Sequence, residues 1–249
     1  MPEMDALPDV GDWRFEYKYH LDFHQYYCIK AAIRPYMRAD VYTKKAPNKR
    51  YFVRSLYYDS LDFRSYQEKV YGNCDRTKLR IRTYSSHLDE NTEIRVEMKS
   101  RKGIIIEKHS TFIPLSFYQT YIKEGYWPIL EDKLLIEFDR TVRLKSLHPL
   151  ILVQYKREGY RSNGRENLRI TFDHEVESTR SKSLFSYNSV FKTHKRGVVV
   201  LEIKCNKSQP YWLRQLIKTH GLRIVPNSKF AQGIELSRPE IVLPMWSYA

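Results

Sequence analysis

The sequence predicts an α+β protein of one domain, with about eight strands and helices inserted between several of them. Three observations predict it. At least five segments alternate charged and apolar residues with a period of two, which is the signature of strands. Between them run stretches with helical spacing. No internal repeat and no linker rich in Gly, Pro or Ser divides the chain.

The elements follow in order. Residues 1–11 form an acidic tail, and residues 12–249 form the single domain. Trp13 to His20 (WRFEYKYH) puts Arg14, Glu16 and Lys18 on one side and Phe15, Tyr17 and Tyr19 on the other, hence a strand. Asp22 to about Arg38 is helical, with Asp22 as N-cap. Arg50 to Asp59 is β-branched and aromatic, a second strand, and Ser60 to Val70 a short helix. Thr77 to Tyr84 sets Lys78, Arg80 and Arg82 against Leu79, Ile81 and Thr83. Thr92 to Ser100 sets Glu93, Arg95, Glu97 and Lys99 against Ile94, Val96 and Met98. Arg101-Lys102-Gly103 is a turn, and Ile104 to Phe112 the returning arm of a hairpin. Leu115 to Glu124 and Glu131 to Lys145 are helical. Leu150 to Tyr160, Leu168 to Asp173 and Val198 to Lys204 are strands, and Ser208 to His220 is a helix closed by Gly221.

Composition bounds the function. Hydrophobic residues make up 42% and aromatics 14%, with 20 Tyr, so the chain has material for a core and is not of the disordered class. Three cysteines, Cys28, Cys74 and Cys205, are odd in number and form no CxxC, which fits a reducing compartment. The eight His show no HExxH spacing, so a structural zinc site is not expected. No run is long and apolar enough to span a bilayer, and the acidic N-terminus is not a secretory signal. The expected location is cytoplasmic. The net charge of +14 points to an anionic partner.

The strand pattern narrows that partner. Two architectures fit strands with Arg, Lys and Glu on one face and Leu, Ile, Val, Phe and Tyr on the other. In the first, an open sheet bathes its charged face in solvent. In the second, a closed barrel turns its apolar face outward under the helices and lines its lumen with charge. A charged lumen requires neutralisation by carboxylates and a bound polyanion, because unpaired buried charges are costly. Glu16, Glu97 and Glu202, interleaved on the same faces, would supply the carboxylates. They could also hold a divalent metal, which prefers oxygen ligands and arrives with phosphates.

RFEYKY (Arg14, Glu16, Lys18), SLYYD (Ser55 to Asp59), KLRIR (Arg80, Arg82), VEMK (Glu97, Lys99), QYKREGY (Tyr155, Arg157, Tyr160), LRITFD (Arg169 to Asp173), VLEIK (Glu202, Lys204) and PNSKF (Ser228, Lys229), taken in that order, resemble the VTC-type polyphosphate polymerase domain. That family lies within the triphosphate tunnel metalloenzymes. The resemblance covers roughly residues 12–236. It implies an eight-stranded antiparallel β-barrel, a triphosphate tunnel with helices packed outside. It also implies transfer of the γ-phosphoryl of ATP to a polyphosphate chain, with Mn²⁺ or Mg²⁺ as cofactor. Lys18, Arg80, Arg82, Lys99, Arg157 and Lys229 match the family's catalytic, phosphate-gripping positions. Tyr155 and Ser228 match phosphate-binding ones, and Arg14, Lys78 and Lys204 share those strand faces. Glu202 matches the metal carboxylate, with Glu97 and Glu16 beside it in the pattern.

The chain departs from the family's eukaryotic polymerases where they carry an additional Lys shortly before the Ser-Lys pair. Pro226-Asn227 stands there instead, and Asn brings no fixed positive charge. The expected partners are ATP and polyphosphate or triphosphate, with a separate membrane protein if the product is translocated. No specific nucleic acid is expected, since the RRM, KH and helix-turn-helix signatures are missing. The rival activities are a triphosphatase of the same fold and, from another class, a non-catalytic polyphosphate- or RNA-binding module.

Overall fold

The computed structural model describes residues 15–238 apart from residues 91, 104, 129–130, 165–166, 187–188 and 207. In chain order the elements are β1 (Phe15–Leu21), α1 (Phe23–Ala32), β2 (Met37–Ala39), α2 (Val41–Lys45), a 3₁₀ turn (Pro47–Lys49), β3 (Tyr51–Asp59), α3 (Arg64–Val70), β4 (Arg76–Thr83), β5 (Ile94–Lys102), β6 (Ile105–Ile113), α4 (Leu115–Glu124), α5 (Lys133–Leu144), β7 (His148–Ser162), β8 (Leu168–Arg180), β9 (Lys192–Thr193), β10 (Val199–Cys205), α6 (Tyr211–Thr219) and α7 (Lys229–Ser237). Eight strands follow the order β1-β10-β8-β7-β3-β4-β5-β6, with β2 added on β7 and β9 on β8. The expected α+β class with an antiparallel sheet is what the chain adopts.

The chain divides into two compact units, Met1–Arg50 with Arg157–His174 and Gly197–Pro226, and Tyr51–Lys156 with Glu175–Arg196 and Asn227–Ala249. In the first unit, β1 pairs with β10 and β10 with the N-terminal part of β8, both antiparallel. Its core is Leu21, Tyr26, Ile29, Ile33, Leu168, Ile170, Phe172, Leu201 and Ile203. Asp22 does cap α1: its side chain accepts from Gln25 N at 2.7 Å while Gln25 returns a bond to the Asp22 backbone. The buried carboxylate of Glu158 then ties α1 to the strands. It accepts from Tyr26 Oη at 2.5 Å, Tyr160 Oη at 2.9 Å and Arg50 Nε at 2.9 Å, and meets Lys30 Nζ at 2.7 Å.

In the second unit, β3–β4, β4–β5 and β5–β6 form antiparallel ladders. The apolar alternation seen in the sequence becomes the core. Leu79 and Ile81 of β4 and Ile94, Val96 and Met98 of β5 pack with Tyr118 and Tyr121 of α4 and Leu135 and Phe138 of α5. Each such side chain, once fully buried, contributes roughly 1.5–3 kcal/mol. The charged residues are thereby forced onto the other side of the same strands.

The helix expected over 22–38 ends at Ala32, and Met37–Ala39 is a strand paired with Tyr160–Ser162. Pro35 lies between the two and cannot continue a helical ladder. The expected strand over 168–173 runs on to Arg180, and the last expected helix starts at Tyr211, behind Pro210. Helix α7 was not foreseen. The three cysteines are free. Among the described residues, no helix is long and apolar enough to cross a membrane.

Candidate functional site

The second unit carries the densest charge. Across the β4–β5 ladder Lys78 faces Lys99, Arg80 faces Glu97 and Arg82 faces Arg95; across β5–β6 Glu97 faces Ser110 and Lys99 faces Lys108. Directly opposed like charges destabilise a sheet unless something between them compensates. Glu97 is that compensation. Its Oε2 accepts from Arg80 Nε at 2.5 Å, with Arg80 Nη2 on the same oxygen, and lies 3.7 Å from Lys108 Nζ. Its Oε1 lies 3.7 Å from Arg82 Nη1 and 3.6 Å from Arg95 Nε. Glu97 and Arg82 are 2% and 7% exposed, so the centre of this face is withdrawn from solvent, while Lys99 and Lys108 on the same face are exposed.

The SLYYD segment of β3 supports the grid. Ser55 Oγ accepts from Arg82 Nε at 2.9 Å, and Tyr57 Oη accepts from Arg80 Nη1 at 3.1 Å. Tyr58 turns to the core, and Asp59 takes the backbone N–H groups of Ser65 at 2.7 Å and Tyr66 at 3.1 Å, capping α3. The electrostatics follow. Burial alone would raise the Glu97 carboxyl, but Arg80 and Arg82, with Lys108 and Arg95, overcome it and hold it well below the usual range. Desolvation pushes Lys108 down to about 7, the nearby guanidinium groups adding to it against the pull of Glu97. Desolvation likewise lowers Lys78 to about 8.

Helix α7 brings the Ser-Lys pair to this unit. Ser228 is its N-cap, Oγ accepting from Ala231 N at 3.3 Å, so it has a structural task beside the expected phosphate-binding one. Lys229 Nζ lies 4.8 Å over the ring of Tyr155 on β7. Phe230 packs on Tyr57 at 5.3 Å between centroids, and Lys78 Nζ lies 5.4 Å over the Phe230 ring. Gly233 admits the helix onto the strands, since a Cβ there would stand 2.7 Å from Ile151 Cγ2. Lys99 shares the charged face of β5 and is exposed.

The remaining expected residues lie in the first unit, apart from Arg14, which is outside the described residues. Glu16 pairs with Lys204 and Lys18 with Glu202 across β1–β10. Lys18 Nζ meets Glu16 Oε1 at 2.7 Å, and Lys204 Nζ meets Glu202 Oε1 at 2.8 Å and Glu16 Oε2 at 3.6 Å. Burial and the neighbouring Glu202 push Glu16 up, yet Lys204 and Lys18 outweigh them and keep it low. Arg157 is held in a fork by buried Asp173, Nε to Oδ1 at 2.5 Å and Nη2 to Oδ2 at 2.8 Å.

Among the described residues no three His, Cys, Asp or Glu side chains converge as a metal group. The pair Glu16 and Glu202 fits a hard cation of the Mg²⁺ kind, which takes one or two carboxylates and completes its shell with water and phosphate oxygens. Glu97 is instead the counter-ion of four cations. Sequence reasoning did not select Arg95, Lys108, Ser55 or Tyr57. The signal is present for Arg95, which alternates with Glu97 along β5, and for Lys108, which faces Lys99 once the hairpin register is drawn; Ser55 and Tyr57 lie in SLYYD, where nothing local marks them as partners of Arg82 and Arg80.

The VTC domain family matches residues 13–238. No curated protein matches the sequence. Among solved structures, a candidate adenylate cyclase from Bacillus halodurans is 13% identical and superposes with a TM-score of 0.52, covering 87% of this chain and 94% of that one. A protein from Pyrococcus horikoshii is 14% identical, with a TM-score of 0.46 over 90% of this chain and 99% of its own. At these identities the likeness to solved structures is one of fold. The family match spans nearly all of the described residues and the strands that carry the charged grid: the chain belongs to the VTC domain family.

Proposed function

We propose that the protein is an ATP- and divalent-metal-dependent polyphosphate polymerase that transfers the γ-phosphoryl of ATP onto a polyphosphate chain. The observation that carries this reading is the balance around Glu97, one buried carboxylate against Arg80, Arg82, Arg95 and Lys108. Such a surplus of positive charge on a partly desolvated strand face is neutralised by a row of phosphates. Phosphoryl transfer asks the protein for positioning and charge neutralisation rather than covalent chemistry. Arg80 and Arg82 offer guanidinium forks to phosphate oxygens, and Lys108 and Lys229 offer point charges. The acceptor is a terminal phosphate oxyanion, already a nucleophile, so no activated Ser or Cys is required.

Glu202 and Glu16 would hold Mn²⁺ or Mg²⁺, and the metal, when bound, supplies charge neutralisation at phosphate oxygens. Lys204 and Lys18 hold the Glu16 carboxyl below its usual range, ionised for that purpose. The test is incubation of the purified protein with ATP and Mn²⁺, with products resolved on a gel. Chains longer than triphosphate support the polymerase. Release of inorganic phosphate alone assigns the protein to the triphosphatases, and binding of polyphosphate without turnover assigns it to the binding modules.

A further inference from the structure

The charged face of the second unit differs at its two ends. Towards Lys78 the nearby rings, Tyr57 and Phe230, are buried. At the opposite end, by Arg82 and Arg95, an aromatic ring stands open. Phe112 of β6 keeps 50% of its surface exposed. It lies directly across the β5–β6 ladder from Arg95, as Ser110 does from Glu97, so it shares the face of the grid. The Arg95 guanidinium carbon is 5.0 Å from the Phe112 centroid. Arg95 is itself fixed, Nη2 donating to Ser110 Oγ at 2.7 Å and Nε lying 3.6 Å from Glu97 Oε1. Two further rings mark the same end. Tyr84 hydrogen-bonds Arg82, and its ring is 6.2 Å from that of Tyr51.

An exposed Phe on a strand face otherwise given to charge leaves apolar surface in water. A flat aromatic partner explains it. We propose that Phe112, backed by Arg95, is the stacking platform for the nucleobase of a nucleoside polyphosphate whose phosphates lie along Arg82 and Arg80. The proposal rests on the polyanion reading above and adds a direction to it, base at the Phe112 end and phosphate chain pointing towards Lys78. A planar guanidinium on one side of a ring polarises it and holds it in place, and stacking of this kind accepts any base.

Titration calorimetry with ATP and with inorganic tripolyphosphate, on the wild type, Phe112→Ala and Phe112→Trp, tests it. Phe112→Ala is expected to weaken ATP by about 5- to 150-fold and to leave tripolyphosphate unchanged. Phe112→Trp is expected to hold ATP as the wild type does, with added tryptophan fluorescence that ATP quenches and tripolyphosphate does not. Unchanged ATP affinity in Phe112→Ala overturns the platform. So does an equal loss of both ligands in Phe112→Ala that Phe112→Trp does not restore, since Phe112 would then serve the fold. A wild type that binds tripolyphosphate but gains nothing from the nucleoside overturns the platform alone. A wild type that binds neither ligand overturns the polyanion reading and the platform with it.

Discussion

Glu97 stands directly across the β4–β5 ladder from Arg80 and takes that guanidinium on Oε2, while Arg82, Arg95 and Lys108 close around the same carboxylate. Removing it leaves four cations without their common counter-ion. Glu97→Gln is therefore expected to cost about 3–5 kcal/mol in chemical denaturation. Tripolyphosphate should restore more stability to the variant than it adds to the wild type. A variant as stable as the wild type would show that the grid needs no internal counter-ion.

Arg80→Ala combined with Arg82→Ala has a different outcome. Glu97 keeps Arg95 and Lys108 as partners, so the buried carboxylate is not left without a counter-ion and the sheet folds. ATP turnover is expected to fall by at least about 10²–10³-fold, the usual loss for a preorganised electrostatic group. Full activity in the double variant, measured by phosphate release and by gel, would remove this face from the mechanism.

Lys108 makes polyanion binding depend on pH. Its ammonium is held near pH 7, against roughly 10.4 for a free lysine, so the empty folded state gives up a proton that the unfolded chain keeps. A bound polyphosphate favours the charged form. Tripolyphosphate affinity should fall as pH rises from about 6 to 9, with proton uptake on binding near pH 8. The stability of the empty protein shifts the opposite way, because the unfolded state binds more protons between about pH 7 and 10. Lys108→Arg, which stays charged, should flatten the binding profile. The check is the tripolyphosphate dissociation constant across that range.

Glu202→Gln tests the metal assignment. The variant should keep tripolyphosphate binding in the absence of metal and lose the stimulation of turnover by Mn²⁺. Stimulation at the wild-type level would place the metal elsewhere.

Gly159→Ala is a control for stability without chemistry. A Cβ at Gly159 would stand 2.1 Å from Asp40 Oδ2, whose other oxygen caps α2 by accepting from Thr43 N at 2.8 Å. A loss of about 1–3 kcal/mol is expected, with ATP turnover per folded molecule unchanged. Turnover is normalised to the folded fraction by circular dichroism.

By itself the sequence determined the strands, because alternation in KLRIR and TEIRVEMK is a direct consequence of the pleat. It also determined which face carries charge, and through the order of its motifs it pointed to the family. The start of α1 was legible too, since Asp22 and Gln25 satisfy orphan N–H groups through local bonds alone. The end of that helix and the strand Met37–Ala39 were not legible, because β2 exists only through pairing with Tyr160–Ser162, far along the chain.

Only the tertiary structure decided what each charge does. The segment QYKREGY reads as a uniform alternation, yet Tyr155 lies beneath Lys229, Arg157 forks onto Asp173, Glu158 anchors α1 and Gly159 makes room for Asp40. Glu97 and Glu202 look alike in VEMK and VLEIK. One is ringed by four cations, and the other shares Lys204 with a second carboxylate, Glu16. The reason is physical. Periodicity fixes the side of a strand on which a residue lies, whereas its partners are fixed by strand register and by helices such as α7 that arrive from distant parts of the chain.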